Sequence, residues 1–498
     1  MKSVDKSGAV KKAAKNKKMK KNKKVAKKSA TRIFLDHAST TPLDSRVLSA
    51  MTPYLKNEWG NPSALYEEGL TAKRAVAESR TSIARLLNVR SEEIVFTASG
   101  TEADNLAILG VFNYFKSDSA VSDIFLADPG PFSNEKLHNL KPHIVTTNIE
   151  HPGILEACRE VEKRGGEVTY VPVEENGIVD PKKIVAALRP NTILVSVMYA
   201  NNEIGTIQPL REISRVIQEF KKSQEKSGSG QEWVATDRSG EIFSGPFFHT
   251  DASQAANYLT LNFQALGVDM MTLDASKIYG PKGVGLLAVK RDVSIQPIIF
   301  GGGQEKGLRA GTENVAGIVG MSEALKIADE IREKESERLS KLRDYFFSEI
   351  EKIVPVSSKD NKDNANKDSA NKSSVNKGNV KIIINGDKQK RLPNNINICV
   401  PGLDAEFAVI KLDQLGIACS SASSCLNLSE NSYSYVVEAL GERHRGMEGD
   451  DKKGAKKNGK ETGEKRDDCR ESSLRFTLGR ATEKSDVDQL LKILSRVV

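Results

Sequence analysis

Short β-branched runs alternate with amphipathic helical stretches from Phe34 onward, which predicts an α/β fold with a mostly parallel sheet covered on both faces. Two further observations agree. A chain of 498 residues with 38% hydrophobic content can bury a large core and, at ~150 residues per domain, holds two or three domains. Every chemistry-bearing motif also follows an apolar run, and ligands of open α/β sheets sit at the carboxyl ends of strands.

In chain order, residues 1–31 come first, a stretch of Lys, Ala and Asn that cannot offset the entropy of ordering and is predicted to be a disordered tail. Thirteen lysines against Asp5 give residues 1–30 a charge of +12, so the chain's net +8 leaves −4 for the rest. The basic balance therefore describes a tail able to bind polyanions nonspecifically, and gives no sign of a nucleic-acid-binding fold.

The βαβ signature follows in three pairs. "EIVFT" precedes "TEADNLAILGVFNYF", "HIVTTN" precedes "HPGILEACREVEKR", and "TILVSVMYA" precedes "PLREISRVIQEFKKS". Four polar segments, at about 116–141, 223–246, 357–379 and 446–472, have compositions that support no core and are expected to be surface insertions. From about 333, the charged helix "REKESERLSKLRDYFFSEIEKI" and the runs "VKIIING" and "NNINICV" predict a second, smaller domain.

Five cysteines (Cys158, Cys399, Cys419, Cys425, Cys469) form no CxxC pair and no metal-ligand spacing. The odd count suits a reducing compartment rather than a disulfide framework, and no metal site is expected. No apolar run approaches the ~18 residues of a membrane span and no signal-peptide core is present, so a cytoplasmic protein is expected.

The chemistry concentrates around Lys277, in "VDMMTLDASKIYGPKGVGLLAVK". A lysine between apolar runs ordinarily snorkels to the surface. Here, however, "FFHTDASQAANY" brings Asp251 and Gln254 from a strand end to the same edge, and "IVFTASGTEADN" reads as strand, small-residue turn and helix. Gly100 and Thr101 thus offer backbone N–H groups to an anion at a helix N-terminus. A lysine for covalent attachment, an acid for a pyridinium nitrogen and donors for a phosphate are what pyridoxal 5'-phosphate needs.

With these parts in place, the chain resembles the cysteine desulfurases of the NifS/IscS-like family, class V aminotransferases of pyridoxal-phosphate fold type I. The likeness runs from "FLDHASTTPLD" to "SSLRFTLGRAT", outside the four insertions. It is carried by "GNPS", "FTASGTEADNLA", "IEHPGILEAC", "NNEIGTIQPL", "HTDASQ", "SKIYGPKGVG", "GGGQEKGLRAGT" and "LRFTLGR" together. The resemblance implies a large domain with a mostly parallel seven-stranded sheet over 47–332. It also implies a smaller α/β C-terminal domain over 333–498 carrying the catalytic cysteine loop, which the N-terminal segment 32–46 joins.

It further implies that Lys277 holds the cofactor covalently and that Asp251 pairs with the ring nitrogen, keeping the ring an electron sink. Gln254 and Asn202 would hydrogen-bond the ring's 3-oxygen, His151 would stack over its face, and Thr312 would reach the phosphate from the partner subunit of a homodimer. The family usually carries Ser, a small residue and His before the lysine, whereas this chain has Asp274, Ala275 and Ser276. Ser276 can still donate to a phosphate oxygen. Asp274 is expected to turn from the phosphate, be protonated or meet a cation, leaving the backbone donors of Gly100 and Thr101 unaffected.

The reaction is set by a second group. "GIACSSASSCLNLSENSYSYVVEALG" exposes Cys425 in a small, polar stretch before a helix. The resemblance aligns Cys425 with the persulfide-forming cysteine, and Cys419 with a strand position where cysteine acts as a small hydrophobe. The implied reaction removes sulfur from L-cysteine, giving L-alanine and a persulfide on Cys425. Arg475 would grip the substrate carboxylate with its planar fork beside Asn202, and His151 would carry a proton. A sulfur-acceptor protein is implied, an iron–sulfur scaffold or a tRNA-thiolation relay. A selenocysteine lyase shares the scaffold and is the alternative. A non-catalytic, nucleic-acid-binding protein that keeps an old enzyme fold is suggested only by the lysine tail and is disfavoured by the joint presence of Lys277, Asp251, His151, Arg475 and Cys425.

Overall fold

The computed structural model describes residues 32–116, 141–227, 245–353, 382–421, 433–441 and 469–497. Residues 1–31, most of each polar segment and the stretch holding Cys425 lie outside the described residues.

Seven strands form the main sheet: β2 (Ile94–Thr97), β3 (His143–Thr147), β4 (Glu167–Val171), β5 (Thr192–Ser196), β6 (Phe247–Asp251), β7 (Met270–Asp274) and β8 (Gly285–Val289). Their order across the sheet is β2-β8-β7-β6-β5-β3-β4. The neighbours from β7 to β4 run parallel, while β8 lies antiparallel between β2 and β7. The mostly parallel α/β sheet read from the alternation is therefore the observed one. Its central strands are buried along their whole length, which is why they read as continuous apolar runs.

Helices cover both faces, and two core clusters lie on opposite sides of the sheet. One gathers Val95, Leu106, Ile108, Phe112 and Ile154. The other gathers Val47, Ile83, Phe96, Phe248, Phe263 and Met321. The helix Gly100–Phe115 is buried nearly all round because it is sandwiched between the sheet and the helix Pro152–Lys163.

A second core, with Leu35, Phe346, Ile396, Ile417, Phe476 and Leu490, packs under a four-stranded sheet ordered β12-β13-β10-β9. Its strands are β9 (Ile383–Ile384), β10 (Asn395–Cys399), β12 (Ser420–Ser421) and β13 (Ser473–Thr477). The strand β1 (Ile33–Phe34) pairs in parallel with β11 (Ile417–Ala418), and Asp36 bridges to Thr477, so the N-terminal residues join this part of the molecule. The helix Val315–Ile353 runs unbroken through position 332. Its first half (Val315, Ile318, Met321) lies in the large-sheet core, and its second half (Leu339, Phe346, Ile350) lies in the second. Emptying the fully buried Phe346 site with Ala would cost about 3–5 kcal/mol on the second core.

One expectation is corrected. Cys399 and Cys469, expected as reduced thiols, form a disulfide with Cα atoms 5.3 Å apart. Cys399 ends a buried central strand, and Cys469, taken as the end of a polar surface insertion, is fully buried against Val437 beside it. Composition alone hides this pair, because the polar run "EKRDDC" turns inward at its last residue.

Candidate active site

Seven chain segments meet at one place, the carboxyl edge of the large sheet. Register does much of the placing. Gly285, at the start of β8, faces Thr97 of β2 on one side and Asp274 of β7 on the other. The turn after Thr97 therefore starts the helix Gly100–Phe115 directly beside the end of β7. The approach is close enough that a Cβ at Gly285 would come within 2.5 Å of the Ser99 carbonyl carbon, so only glycine fits there.

Lys277 lies just past the end of β7, in a single 3-10 turn. The next residues hold that turn. Asn257 donates to the Lys277 carbonyl at 2.7 Å, and Tyr279 takes the left-handed conformation (φ 62°) with its N–H on Thr41. Arg480 covers the Tyr279 ring at 3.9 Å. The Lys277 ammonium donates to the Ser39 carbonyl at 2.5 Å.

Asp251 ends β6, is buried, and accepts from the Ser253 N–H at 2.9 Å. His151 follows β3 as the N-cap of the helix Pro152–Lys163, with proline at the first helical position. Its Nδ1 accepts from the Gly153 N–H at 3.0 Å, so a neutral ring carries its proton on Nε2. Burial pushes the imidazole below its ordinary pKa; Lys277 adds to this and Asp251 and Asp274 oppose it. Asn202 follows β5, and Arg475 comes from β13 of the second core.

These groups line one cavity of about 180 Å³ with Gly100, Thr101, Gln254 and Asp274. The structure thus brings together Lys277, Asp251, His151, Asn202, Gln254, Gly100, Thr101 and Arg475. Gln254 donates to the Ala38 carbonyl at 2.9 Å. Arg475, 2% exposed, donates to Asp36 and Ser39 at 2.9 Å each and to the Asn202 carbonyl at 3.1 Å. Its Nε and the Asn202 Oδ1 are buried without partners among the described residues. Polar atoms in that state call for a partner, and a ligand or a bound water could supply it.

Three expected residues are not placed in this cavity. Cys425 lies outside the described residues. Thr312 is exposed and does not line this chain's cavity. Ser276 is adjacent, but its hydroxyl donates to Asp274 at 2.6 Å and is not in the cavity lining.

Asp274 departs most from expectation. It lines the cavity, and among the described residues it forms no ion pair with a cation. Its Oδ2 accepts the Gly100 N–H at 2.9 Å, and its Oδ1 accepts both the Ser276 N–H at 2.8 Å and the Ser276 hydroxyl. Two groups expected to hold a phosphate are therefore already engaged. The expectation that the backbone donors stay unaffected is corrected at Gly100. The physical reason is an Asx-type turn: a carboxylate two residues before Ser276 caps that residue's N–H, and the strand register leaves its other oxygen on the helix.

Sequence reasoning missed Asp36, Ser39, Ser253 and Asp104. Asp104 is 1% exposed, and its Oδ1 has no partner among the described residues. Burial, reinforced by Asp251, holds its carboxyl well above the usual range. Its signal was present, since Asp104 sits one helical turn past Gly100 on the same face. Glu150, beside His151, is fully buried and pushed up to about 8 by burial, although Thr147 and the Met198 N–H donate to it.

Cys419, between β11 and β12, is a free thiol pushed up to about 12, first by burial and then by Asp36, with Arg475 opposing.

A sheet whose strand ends converge on a lysine, an acid and a helix N-terminus is the architecture of the class V aminotransferases, and the chain belongs to that family. The family pattern matches residues 33–122, 133–223 and 241–381. Among curated relatives, the chain is 36% identical over 466 residues to the cysteine desulfurase IscS of Dictyoglomus turgidum, covering 94% of each chain. It is 34% identical to that of Clostridium botulinum strain Hall, again with 94% of each covered. Among solved structures, a NifS-like protein aligns with a TM-score of 0.70 at 26% identity, covering 94% of this chain and 99% of that one. No helix among the described residues is long and apolar enough to cross a membrane.

Proposed function

We propose that this protein is a pyridoxal-phosphate-dependent cysteine desulfurase that moves sulfur from L-cysteine to Cys425 and releases L-alanine. The observation that carries the reading is the convergence of Lys277, Asp251, His151 and Arg475 on one cavity, in a chain of this family. The ring end of the cofactor is well matched: a lysine to hold it, a buried carboxylate for its nitrogen, an imidazole beside it, and the unpartnered Asn202 Oδ1 for a polar substituent. Only at the phosphate end does a resident group, Asp274, compete.

When bound, the cofactor supplies an electron sink that weakens the substrate's bonds next to its amino-bearing carbon. The remaining work belongs to the chain. Arg475 is held in one orientation by Asp36, Ser39 and the Asn202 carbonyl, which fixes its guanidinium on the cavity where the substrate carboxylate would bind. Lys277 takes and returns the proton at the substrate's α-carbon. Its tether to Ser39 defines where the amine waits. His151, neutral with its proton on Nε2, serves proton transfer near the sulfur. The Cys425 thiolate attacks the substrate sulfur: an S–S bond forms, the C–S bond breaks, and its electron pair passes to carbon, where a proton completes alanine. Cys419 is unsuited to this step because its thiol stays protonated far above neutral pH.

The same reading includes a homodimer and an acceptor protein for the persulfide sulfur. Thr312 is exposed and does not line this chain's cavity, which suits a residue that serves a partner's site. Trp59 (72% exposed), Leu65 (91%) and Phe300 (82%) leave apolar surface uncovered near the cleft between Pro62 and Gly303.

The test is direct. Purified protein with pyridoxal phosphate and L-cysteine should release alanine and form a persulfide, and Cys425→Ala should abolish both while Lys277 still takes up the cofactor. Alanine release at the wild-type rate by Cys425→Ala would refute the assignment of the nucleophile. No alanine from the wild type would refute the function.

A further inference from the structure

We propose that Asp274 is a specificity-determining residue for the cofactor: its carboxylate is a resident anion on the phosphate cradle and sets how strongly the protein prefers a phosphorylated ligand. This rests on the cofactor reading above. Three hydrogen bonds carry it. The Gly100 N–H, the Ser276 N–H and the Ser276 hydroxyl all converge on one carboxylate, at 2.9, 2.8 and 2.6 Å.

These are the donors a strand-end phosphate site would use, because backbone N–H groups at a helix start and a hydroxyl beside it attract anions. The other N–H groups of the first turn are scarce too. Ser99 takes the Glu102 N–H through its hydroxyl and the Ala103 N–H through its carbonyl, which leaves Thr101 as the cavity's remaining amide there. A Cβ placed on Gly100 would touch Asp274 Oδ2 at 3.3 Å and Ser253 Oγ at 3.2 Å, so little space separates the carboxylate from the helix.

A bound phosphate dianion therefore either displaces Asp274, which strips that carboxylate of its three donors, or sits beside a negative charge. Asp251 and Asp104 add carboxyl groups to the same cavity. Both routes weaken the phosphate end and leave the aldehyde-and-ring end unaffected. Asp274 thus lowers the discrimination between pyridoxal phosphate and the phosphate-free pyridoxal, and it does so through the phosphate alone.

The experiment compares wild type, Asp274→Asn and Asp274→Ser as cofactor-stripped full-length proteins. Dissociation constants for pyridoxal phosphate and pyridoxal are measured by absorbance titration, inorganic phosphate serves as a competing probe, and each adduct is trapped by borohydride reduction and mapped by mass spectrometry. Both variants should bind pyridoxal phosphate at least tenfold more tightly than wild type while pyridoxal shifts less than threefold, and inorganic phosphate should compete more effectively in the variants. Asn keeps the side chain's shape, and Ser is the smaller hydroxyl, so a folding failure in one leaves the other decisive. Equal shifts for both ligands, no shift, or weaker phosphate binding would overturn the proposal while adducts on Lys277 leave the cofactor reading standing. If no protein yields a Lys277 adduct with either ligand, the cofactor reading falls, and this proposal with it.

Discussion

Cys419 offers a quantitative test of which thiol does the chemistry. Its environment pushes the thiol up to about 12, against ~8.5 for a free cysteine. At pH 8 about a quarter of a free thiol is thiolate, whereas only ~10⁻⁴ of Cys419 is, a deficit of roughly 2,000-fold. A more basic thiolate is intrinsically more nucleophilic, and a Brønsted slope of ~0.45 over ~3.5 pKa units returns roughly 40-fold. The net expectation is an exchange rate about 50-fold below that of a free thiol, and lower still because Cys419 is only partly accessible.

The assay is thiol–disulfide exchange with an aromatic disulfide in the Cys425→Ala variant, where Cys158, fully buried, and Cys419 are the remaining free cysteines outside the disulfide. No phase faster than about one-fiftieth of glutathione's rate should appear at pH 8. A fast phase in Cys425→Ala that disappears on adding Cys419→Ala would show that Cys419 is ionised, and the reasoning that excludes it as nucleophile would fail.

Glu150 is held protonated in the fold, since its carboxyl is pushed from 4.5 up to about 8. A raised folded-state value means stability is fully present below pH ~4.5 and is lost as pH rises through about 8, so Glu150→Gln should gain on wild type by up to ~4 kcal/mol between pH 5 and 8.5 in urea unfolding; a constant gap would contradict this. The Cys399–Cys469 bond closes a 70-residue separation, so reduction should cost about 4 kcal/mol, and denatured, unreduced protein should titrate three thiols rather than five; five thiols would refute the bond. Deleting residues 1–30 should leave desulfurase turnover unchanged and remove salt-sensitive retention on nucleic acid, whereas retention that survives the deletion would place polyanion binding in the folded body.

The large sheet was legible because its residues answer to local rules. "EIVFT", "HIVTTN" and "TILVS" are β-branched and buried on both faces, and each is followed by a helix, apolar nearly all round at Gly100–Phe115 and amphipathic in the other two. The Cys399–Cys469 pairing was not legible. It depends on two positions 70 residues apart meeting where β10 and β13 run side by side, and nothing local to "NICV" or "DDCR" encodes that meeting. The helix Val315–Ile353 is a related case. Its charged second half reads as the start of something new, yet its backbone never breaks, because Leu339, Phe346 and Ile350 find a second core without needing a turn.

The site divides along the same line between local and long-range information. Lys277 and Asp251 were readable because each sits at or just past a strand end, where topology decides which edge it faces, whereas His151 was readable only through the family resemblance. Arg475's commitment to Asp36 and Ser39 was not, since those partners lie more than 400 residues away. Asp274 falls between the two. Treated as a charge beside an expected dianion, it should retreat. Treated as a hydrogen-bonding group, "DAS" is an Asx turn in which the carboxylate must fold back onto the Ser276 N–H. Once folded back, the pairing of β7, β8 and β2 places its second oxygen on Gly100. The local rule outweighs the charge argument here because three donors compensate the carboxylate at short range. A turn residue next to a catalytic lysine is therefore better judged first by the backbone donors within its reach, and only then by the charge of the ligand.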